Sequence, residues 1–332
     1  MTILTKLLCA FICSFAVTAI VGAVLVPALR KIKAGQMIRE DGPVWHKKKQ
    51  GTPTMGGLMF IAGILVSCFA VGFKELSSGN PVHIIVFVFA LIYGAIGFLD
   101  DYEKLKKKQN LGLTAKQKFA LQLVVAIVLI ILLRSFGYVS PNVYIPFFGV
   151  TVPINEIVYY VLAAFIIVGC VNAVNITDGV DGLVTGVSIP VALFYCAVAL
   201  AWGYVAQGIF GAALAGGLCA FLIFNFHPAK IFMGDTGSLF LGGAICAMAF
   251  AYDMPLILIP IGIIYIVETL SDIIQVLYFK KTHGKRIFKM APIHHHLEMC
   301  GWSEYKLFTV FTIISAAFAF ISYIAVAGRY GI

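Results

Sequence analysis

Acidic residues are scarce in this sequence, with only 15 Asp and Glu among 332 residues. Charged residues of both signs make up 12% of the chain, about half the share found in average soluble domains, whereas hydrophobic residues make up 61%. The mean hydropathy is +0.98. This composition excludes an ordinary soluble domain, because water cannot be the main solvent of such a chain.

The sequence also lacks a cysteine framework. Seven of its eight cysteines lie inside long apolar runs, where a thiol behaves as a small apolar side chain. Neither a Cys-x-x-Cys pair nor a His-Glu-x-x-His zinc motif occurs. These absences argue against a disulfide-stapled domain and against a zinc-dependent membrane hydrolase.

Long apolar runs dominate what is present. A membrane-spanning helix needs about 20 mostly apolar residues, and ten runs of that kind or close to it lie between Ile3 and Ala327. We therefore predict an all-α polytopic membrane protein with ten transmembrane helices, forming one integral membrane domain over residues 1–332. The segment near 138–154 is rich in β-branched and aromatic residues around Gly149, which predicts a short external β-hairpin.

The distribution of Lys and Arg predicts the orientation, because positively charged loops stay in the cytoplasm. Of 24 basic residues, only Lys6, Lys74, Arg134 and Arg329 lie away from the loops of one face. Both termini should therefore lie outside. The predicted cytoplasmic loops are 30–54, 100–118, 175–182, 225–238 and 280–306. Topology and attraction to anionic lipids account for most of the net charge of +9, so we expect no nucleic-acid partner.

Two of these loops carry carboxylates next to an apolar run. The sequence FLDDYEK contains Asp100 and Asp101, whose mutual repulsion a divalent cation or nearby lysines would relieve. The sequence NAVNITDGVDG places polar residues every third position, at Asn172, Asn175, Asp178 and Asp181. That spacing lines one helix face and fits a ribose, an amide or a hydrated metal. Ordinary helix capping and turn formation explain it equally well.

A third loop, FNFHPAKIFMGDTGS, ends just before an apolar span. Asp235 or Thr236 could cap that helix, and its N-terminus would attract phosphate. A carboxylate there would oppose the anion unless it carried Mg²⁺. A capping role and a metal-binding role for Asp235 are compatible.

The fourth motif, APIHHHLE, contains His294, His295 and His296. Three consecutive histidines on a helix point about 100° apart, so they are poor joint ligands for one zinc ion. Hydrogen bonds to phosphate or substrate suit them better. Glu268 and Asp272 lie within the ninth predicted span; intramembrane acids indicate function, and a buried helix pair is an equally good interpretation.

In this order, FLDDYEK, NITDGVDGL, NFHPAKIFMGDTGSL and PIHHHLE closely resemble the bacterial phospho-N-acetylmuramoyl-pentapeptide transferase family. The likeness extends from Thr52 to Glu304. The wider superfamily of polyprenyl-phosphate phosphosugar transferases shares the Asp-Asp motif and the GDTGS region, whereas the PIHHH run is similar to the muramoyl-pentapeptide branch. Leu297 stands where Phe is often found, and it keeps the position apolar.

The resemblance implies a Mg²⁺-dependent transferase of the bacterial cytoplasmic membrane, with its active site on the cytoplasmic face. UDP-MurNAc-pentapeptide and undecaprenyl phosphate would give lipid I and UMP for peptidoglycan synthesis. The lipid bilayer and a second copy in a homodimer are the other implied partners. A groove beside Pro255 and Pro260, where prolines can bend a helix, would take the lipid tail.

The resemblance also implies individual roles. Asp100 and Asp101 would be the catalytic pair, and Asp235 would bind the metal. Lys104 and Lys116 would contact phosphates, and Asn225 and Phe232 would contact the uridine. The rest of the nucleotide pocket would be formed by Asn172, Asn175, Asp178 and Asp181. The sugar-phosphate and pentapeptide would be contacted by His294, His295 and His296.

Several alternatives stay open at the level of sequence. A sibling enzyme that uses UDP-GlcNAc would keep the aspartates without needing the histidine run. An ion-coupled transporter would place its acids near mid-membrane, where only Glu268 and Asp272 lie. The transfer itself could pass through a covalent intermediate on Asp100 or Asp101. Direct attack by the lipid phosphate is favoured, because that phosphate is mostly ionised at neutral pH.

Overall fold

The computed structural model describes residues 1–31, 49–107, 109, 112–327 and 329. Most of the predicted loop 30–54 and three residues of the predicted loop 100–118 therefore lie outside the described residues. The described helices are α1 (Ile3–Lys31), α2 (Gly57–Ser77), α3 (Val82–Lys107), α4 (Ala115–Ser135), α5 (Glu156–Thr177), α6 (Leu183–Trp202), α7 (Val205–Asn225), α8 (Gly234–Ala251), α9 (Leu258–Ile261), α10 (Ile263–Lys281), α11 (Ile293–Met299) and α12 (Glu304–Ala327).

Nine of the described helices are long and apolar enough to cross a membrane. A tenth crossing is obtained if the segment Pro255–Ile261 and helix α10 are taken together, although they meet at an angle of 81°. The prediction of an all-α polytopic membrane protein is thus confirmed, and ten is the upper count among the described residues. The bend follows Pro260 and falls at Gly262, between α9 and α10. The side on which the termini lie stays a prediction.

The hairpin expected near 138–154 is present. Strands β1 (Asn142–Ile145) and β2 (Val150–Pro153) pair antiparallel, from Asn142 opposite Pro153 to Ile145 opposite Val150. Phe147 and Gly149 both have positive φ in the connecting turn, and the side chain of Phe148 there is 79% exposed. The aromatic and β-branched pattern therefore predicted this element correctly.

Helix α8 is the most enclosed span of the described bundle. In its apolar window 89% of the residues are buried, compared with 28% in α1, α4 and α12. Glycines bring its neighbours close, because Gly242 lies against Val171 of α5 and Gly243 lies against Tyr93 of α3. Small residues are the usual means of close helix packing in lipid, where no hydrophobic effect drives helices together.

The N-terminus of α8 is capped by a side chain of another helix. Asp101 of α3 accepts hydrogen bonds from the backbone N–H of Asp235 (3.2 Å), the backbone N–H of Thr236 (2.9 Å) and the Thr236 hydroxyl (2.7 Å). The expectation that Asp235 or Thr236 caps this helix is wrong, because α8 begins at Gly234 and both residues lie in its first turn. Two of the free N–H groups of that turn are therefore satisfied from α3.

Loops that are distant in sequence meet around this N-terminus. The backbone N–H of Phe232 donates to the carbonyl of Pro53 (2.8 Å), and the N–H of Gly56 donates to the carbonyl of Phe232 (2.9 Å). Helix α4 begins nearby with a capping box between Thr114 and Gln117. We call this end of the bundle, which holds Asp101, Asp235 and these loops, the motif end.

The contact between α3 and α8 gives a test of the fold. A Cβ on Gly97 would overlap the backbone carbonyl of Asp235, whereas a Cβ on Gly94, one turn earlier, would lie 3.2 Å from the Phe240 Cβ. We expect Gly97→Ala to lower stability by about 1–3 kcal/mol through overpacking, with a smaller effect for Gly94→Ala. Thermal unfolding of both variants in the same detergent checks this, and equal midpoints would contradict it.

Candidate active site

Asp235 is the centre of a charged cluster at the motif end. Its Oδ2 lies 2.9 Å from the Lys104 ammonium of α3 and 2.7 Å from the Lys118 ammonium of α4. Its Oδ1 accepts a hydrogen bond from the side-chain amide of Asn175 on α5 (2.9 Å). One carboxylate therefore joins side chains from three neighbouring helices to the start of α8.

Asp100 belongs to the same cluster. Its side chain is almost completely buried, and its Oδ2 lies 2.6 Å from Lys104 and 3.5 Å from Lys118. Its Oδ1 accepts the backbone N–H of Leu113 (2.8 Å), which holds the segment before α4 against α3. The predicted relief of Asp-Asp repulsion by lysines is therefore present in the structure.

The cluster has the chemistry of a divalent-cation site. Asp100, Asp101 and Asp235 each offer one carboxylate oxygen, and these oxygens lie within 4.8 Å of one another. Oxygen ligands are those that Mg²⁺ prefers. Asp101 already uses both oxygens to cap α8, so Asp100 and Asp235 are the members best placed to bind an ion. The donor set fits Mg²⁺.

The stripe from Asn172 to Asp181 is divided between several places. Asn175 donates to both Asp235 and the Ser238 hydroxyl (2.7 Å). Asn172, one turn earlier, donates instead to the Gln122 side chain of α4 (2.6 Å). The stripe does not continue because α5 ends at Thr177, beyond which a three-residue spacing no longer keeps side chains on one face.

Asp178 follows the last residue of α5 and is mostly buried. Burial and the neighbouring carboxylates of Asp235, Asp101 and Asp181 raise the pKa of Asp178 well above its usual range. Repulsion of this kind is what a bound cation would relieve. Asp178 therefore lies within the electrostatic reach of the Asp235 cluster.

Asp181 lies in a second charged cluster. Its carboxylate contacts the Lys49 ammonium (2.8 Å), the His227 Nδ1 (3.0 Å) and the backbone N–H of Ala229 (3.0 Å). Glu304, at the start of α12, also contacts Lys49 (2.6 Å). Asp181, His227 and Glu304 again bring ligand atoms within 4.8 Å of one another. This cluster ties the loop before α2, the α5–α6 loop, the α7–α8 loop and α12 together.

Asn225 and Phe232 lie at the two ends of the α7–α8 loop. The Asn225 side chain is buried, where its oxygen accepts from the Thr185 hydroxyl (2.9 Å) and its amide donates to the carbonyl of Ile231 (3.0 Å). The first bond joins α7 to α6, and the second fastens the α7–α8 loop to the end of α7. The Phe232 side chain is partly exposed at the motif end. Their predicted contacts to uridine are not tested by this geometry.

Two lysines near the start of α4 differ in direction. Lys116 is exposed, whereas Lys118 is partly buried and lies within 2.7 Å of Asp235. Residues two apart on a helix point about 200° apart, so only one of the pair can face α8. The structure thus brings Lys104 and Lys118 together with the aspartates and leaves Lys116 outside the cluster.

The three histidines of α11 have three different partners. The Nδ1 of His294 lies 2.8 Å from Glu268 Oε2, and the Nδ1 of His295 lies 2.8 Å from Glu298 Oε2. His296 accepts the backbone N–H of Lys289 on its Nδ1 (3.1 Å). Among the described residues the histidines do not converge on one metal position, which agrees with their expected splay.

Sequence reasoning counted Lys118 only among the lysines that follow Asp100 and Asp101, and it gave no role to Lys49 or Glu304. The two lysines belong to basic runs that also determine topology, and no local pattern separates a lysine that neutralises a carboxylate from one that meets lipid headgroups. Glu304 carries no signal of its own in the sequence. Only the meeting of loops that are more than 100 residues apart reveals these contacts.

The family model named Glycosyl transferase family 4 matches residues 83–253, and a signature of phospho-N-acetylmuramoyl-pentapeptide-transferase matches residues 49–61. A protein of that name from Clostridium perfringens is 47% identical over 321 residues, which cover 96% of each chain. A protein of the same name from Halalkalibacterium halodurans is 46% identical, and the match covers 95% of this chain and 96% of the relative. Another from Oceanobacillus iheyensis is 44% identical, and the match covers 96% of this chain and 97% of the relative.

The first match spans α3 to α8 and so includes both aspartates of α3 and Asp235, while the signature covers Lys49 and the segment that pairs with Phe232. Identity at this level over nearly the whole of each chain is far above what shared fold alone requires. The chain belongs to the phospho-N-acetylmuramoyl-pentapeptide-transferase family.

Proposed function

We propose that this protein transfers phospho-MurNAc-pentapeptide from UDP-MurNAc-pentapeptide to undecaprenyl phosphate, which forms lipid I and UMP in peptidoglycan synthesis. The observation that carries the proposal is the Asp235 cluster, in which three carboxylates and two lysines meet at one end of an apolar bundle. The family's relatives carry the name of this activity. A soluble diphosphate and a membrane lipid can meet at such a place.

The donor diphosphate needs its charge neutralised before an anionic acceptor can approach. Lys104 and Lys118 supply two positive charges beside Asp235. A Mg²⁺ ion held by Asp235 and Asp100 would supply further positive charge to the phosphate oxygens, the usual main contribution to phosphoryl transfer. The lysines would then move from the carboxylates to the phosphates, which suits long, flexible ammonium side chains.

An apolar groove beside the cluster suits the acceptor's polyprenyl chain. It has a volume of about 670 Å³ and lies between α4, α5 and α10, with Phe119, Val168 and Thr269 among its lining residues. Asn172, one turn before Asn175, lines the same groove. A lipid tail in this groove would have its phosphate near Asp235. The sequence predicted a lipid groove beside Pro255 and Pro260, but neither proline lines this groove.

Direct attack by the lipid phosphate fits the carboxylates better than a covalent intermediate does. Both oxygens of Asp101 accept hydrogen bonds from α8, and the oxygens of Asp100 contact Leu113 and Lys104. Asp101 therefore presents no unengaged oxygen for attack, and Asp100 Oδ2 is paired with the Lys104 ammonium. An oxygen of the lipid phosphate would bond to the β-phosphorus of the donor, the bond from that phosphorus to the oxygen bridging to the α-phosphate would break, and UMP would leave.

We place the motif end on the cytoplasmic side of the bacterial inner membrane, with both termini outside. The basic residues beside α3, α4 and α10 support this orientation. The soluble donor would then reach the Asp235 cluster from the cytoplasm. A homodimer is also part of the proposal, on the resemblance to the family alone.

A sibling activity with UDP-GlcNAc would use the same aspartates, so the donor must be tested directly. Purified protein in detergent, given undecaprenyl phosphate and Mg²⁺, should release UMP from UDP-MurNAc-pentapeptide but not from UDP-GlcNAc. Asp235→Ala and removal of Mg²⁺ by a chelator should each reduce the rate at least about 100-fold, since both remove charge stabilisation from the transferring phosphate. Release only with UDP-GlcNAc would move the protein to the sibling branch.

The lysine pair on α4 gives a matched test of the site. Lys118→Ala should lower kcat about 10- to 100-fold, because Lys118 lies beside Asp235, whereas Lys116→Ala should change it less than about threefold. Both variants remove one positive charge from the same helix turn, so the membrane-surface potential changes equally. Steady-state UMP release measures both, and a larger loss for Lys116→Ala would favour the assignment made from the sequence.

A further inference from the structure

Glu268 is a buried acid within a span, and it contacts the histidine segment. Its side chain is fully buried, and its Oε2 lies 2.8 Å from Nδ1 of His294 and 3.5 Å from the backbone N–H of the same residue. The His294 side chain is equally buried. One carboxylate oxygen therefore fixes both the ring and the backbone of His294.

The bend before α10 directs a polar stripe of this helix toward α11. The Ser271 hydroxyl accepts the backbone N–H of Ile293 (2.8 Å), and the Gln275 side chain bonds the backbone of Ile287 and Phe288. Glu268, Ser271 and Gln275 recur at three- and four-residue spacing, which places them on one helix face. Ser271 and Gln275 hold the loop, whereas Glu268 alone of the three reaches a histidine ring.

The second nitrogen of the ring faces the α5–α6 loop next to Asp178. An ionised carboxylate can only accept hydrogen bonds, so Nδ1–H of His294 donates to Glu268. Nε2 is the ring nitrogen that this contact leaves unused. Nε2 is buried and has no hydrogen-bond partner among the described residues. It lies against Gly179, the residue after Asp178, where a Cβ would overlap it. The ring thus aims an unused polar atom at the loop that borders the Asp235 cluster.

We infer that Glu268 is a positioning residue for the transfer reaction, which fixes the tautomer and direction of His294 so that Nε2 meets a polar group of the bound donor. The inference rests on the proposed function, in which the donor binds at the Asp235 cluster, beside the α5–α6 loop. A buried carboxylate that orients an imidazole through Nδ1 is a general device for presenting the other nitrogen. Glu268 itself would touch no substrate.

The test uses four single variants of the full chain in detergent. Glu268→Gln keeps the size of the side chain but can also donate to Nδ1, so it no longer enforces one tautomer. His294→Asn keeps a polar atom near the position of Nδ1 and removes Nε2. Asp272→Asn is the matched control, since it makes the same acid-to-amide change one turn along α10. Gln275→Ala reports what loosening the loop alone does.

We expect Glu268→Gln to lower kcat about 10- to 100-fold, the scale that misplacement of a reacting group produces. The KM for the donor and the thermal unfolding midpoint should stay close to those of the parent protein. Asp272→Asn should keep full activity. Gln275→Ala should lower the unfolding midpoint, which separates a loss of loop anchoring from a loss of ring positioning.

The double variant decides whether Glu268 acts through His294. If it does, Glu268→Gln should cause no further loss of kcat in the His294→Asn background. If the kcat losses of the two single variants multiply in the double variant, the inference is overturned. Full activity of Glu268→Gln together with an inactive His294→Asn would also overturn it. Full activity of His294→Asn would remove the role of the histidine and the inference with it. The proposed function fails separately, if the parent protein releases no UMP.

Discussion

The start of α8 is the constraint on which the site depends. Asp101 from α3 accepts three hydrogen bonds from the first turn of α8, and this turn carries Asp235. A helix N-terminus bears about half a positive charge, which a carboxylate stabilises. The close contact at Gly97 leaves no room for a side chain between the two helices. Asp235 is therefore held by the backbone of α8, and α8 is held by α3.

Electrostatics explains why the lysines belong to the same unit. Buried carboxylates that lie together cost several kcal/mol each when they are not paired. Lys104 and Lys118 offset that cost beside Asp100 and Asp235. The same contacts make the cluster responsive to ligands, because a cation could take over the carboxylates and free the lysines for phosphate.

The sequence predicted the parts of this structure that follow from local patterns. Apolar runs predicted the spans, and the abundance of β-branched and aromatic residues around Gly149 predicted a hairpin near 138–154, where strands Asn142–Ile145 and Val150–Pro153 pair. The sequence also predicted that the loops with Asp100 and Asp235 lie on the same side of the membrane. Both aspartates lie at span ends that the distribution of Lys and Arg assigns to one side.

Contacts between distant segments were not predictable from these patterns. The cap of α8 comes from Asp101 rather than from the helix itself, and the end of α5 at Thr177 sends Asp181 to Lys49 and Glu304. The rotation of α4 about its axis determines that Lys118, and not Lys116, faces Asp235. If α4 were shifted by two residues, Lys116 would face Asp235 instead. These contacts depend on the exact residues at which helices begin and end. The composition of an apolar run predicts those boundaries only to within several residues.

The central claim is that the divalent cation binds at the Asp235 cluster and not at the similar cluster of Asp181, His227 and Glu304. Mn²⁺, which stands in for Mg²⁺ and gives an electron paramagnetic resonance signal, can be titrated into purified protein in detergent. The account predicts one tight site that Asp235→Asn abolishes and Asp181→Asn retains, because three carboxylates meet at the Asp235 cluster, whereas the other cluster has two carboxylates and a histidine. Binding that survives Asp235→Asn and disappears in Asp181→Asn would contradict it.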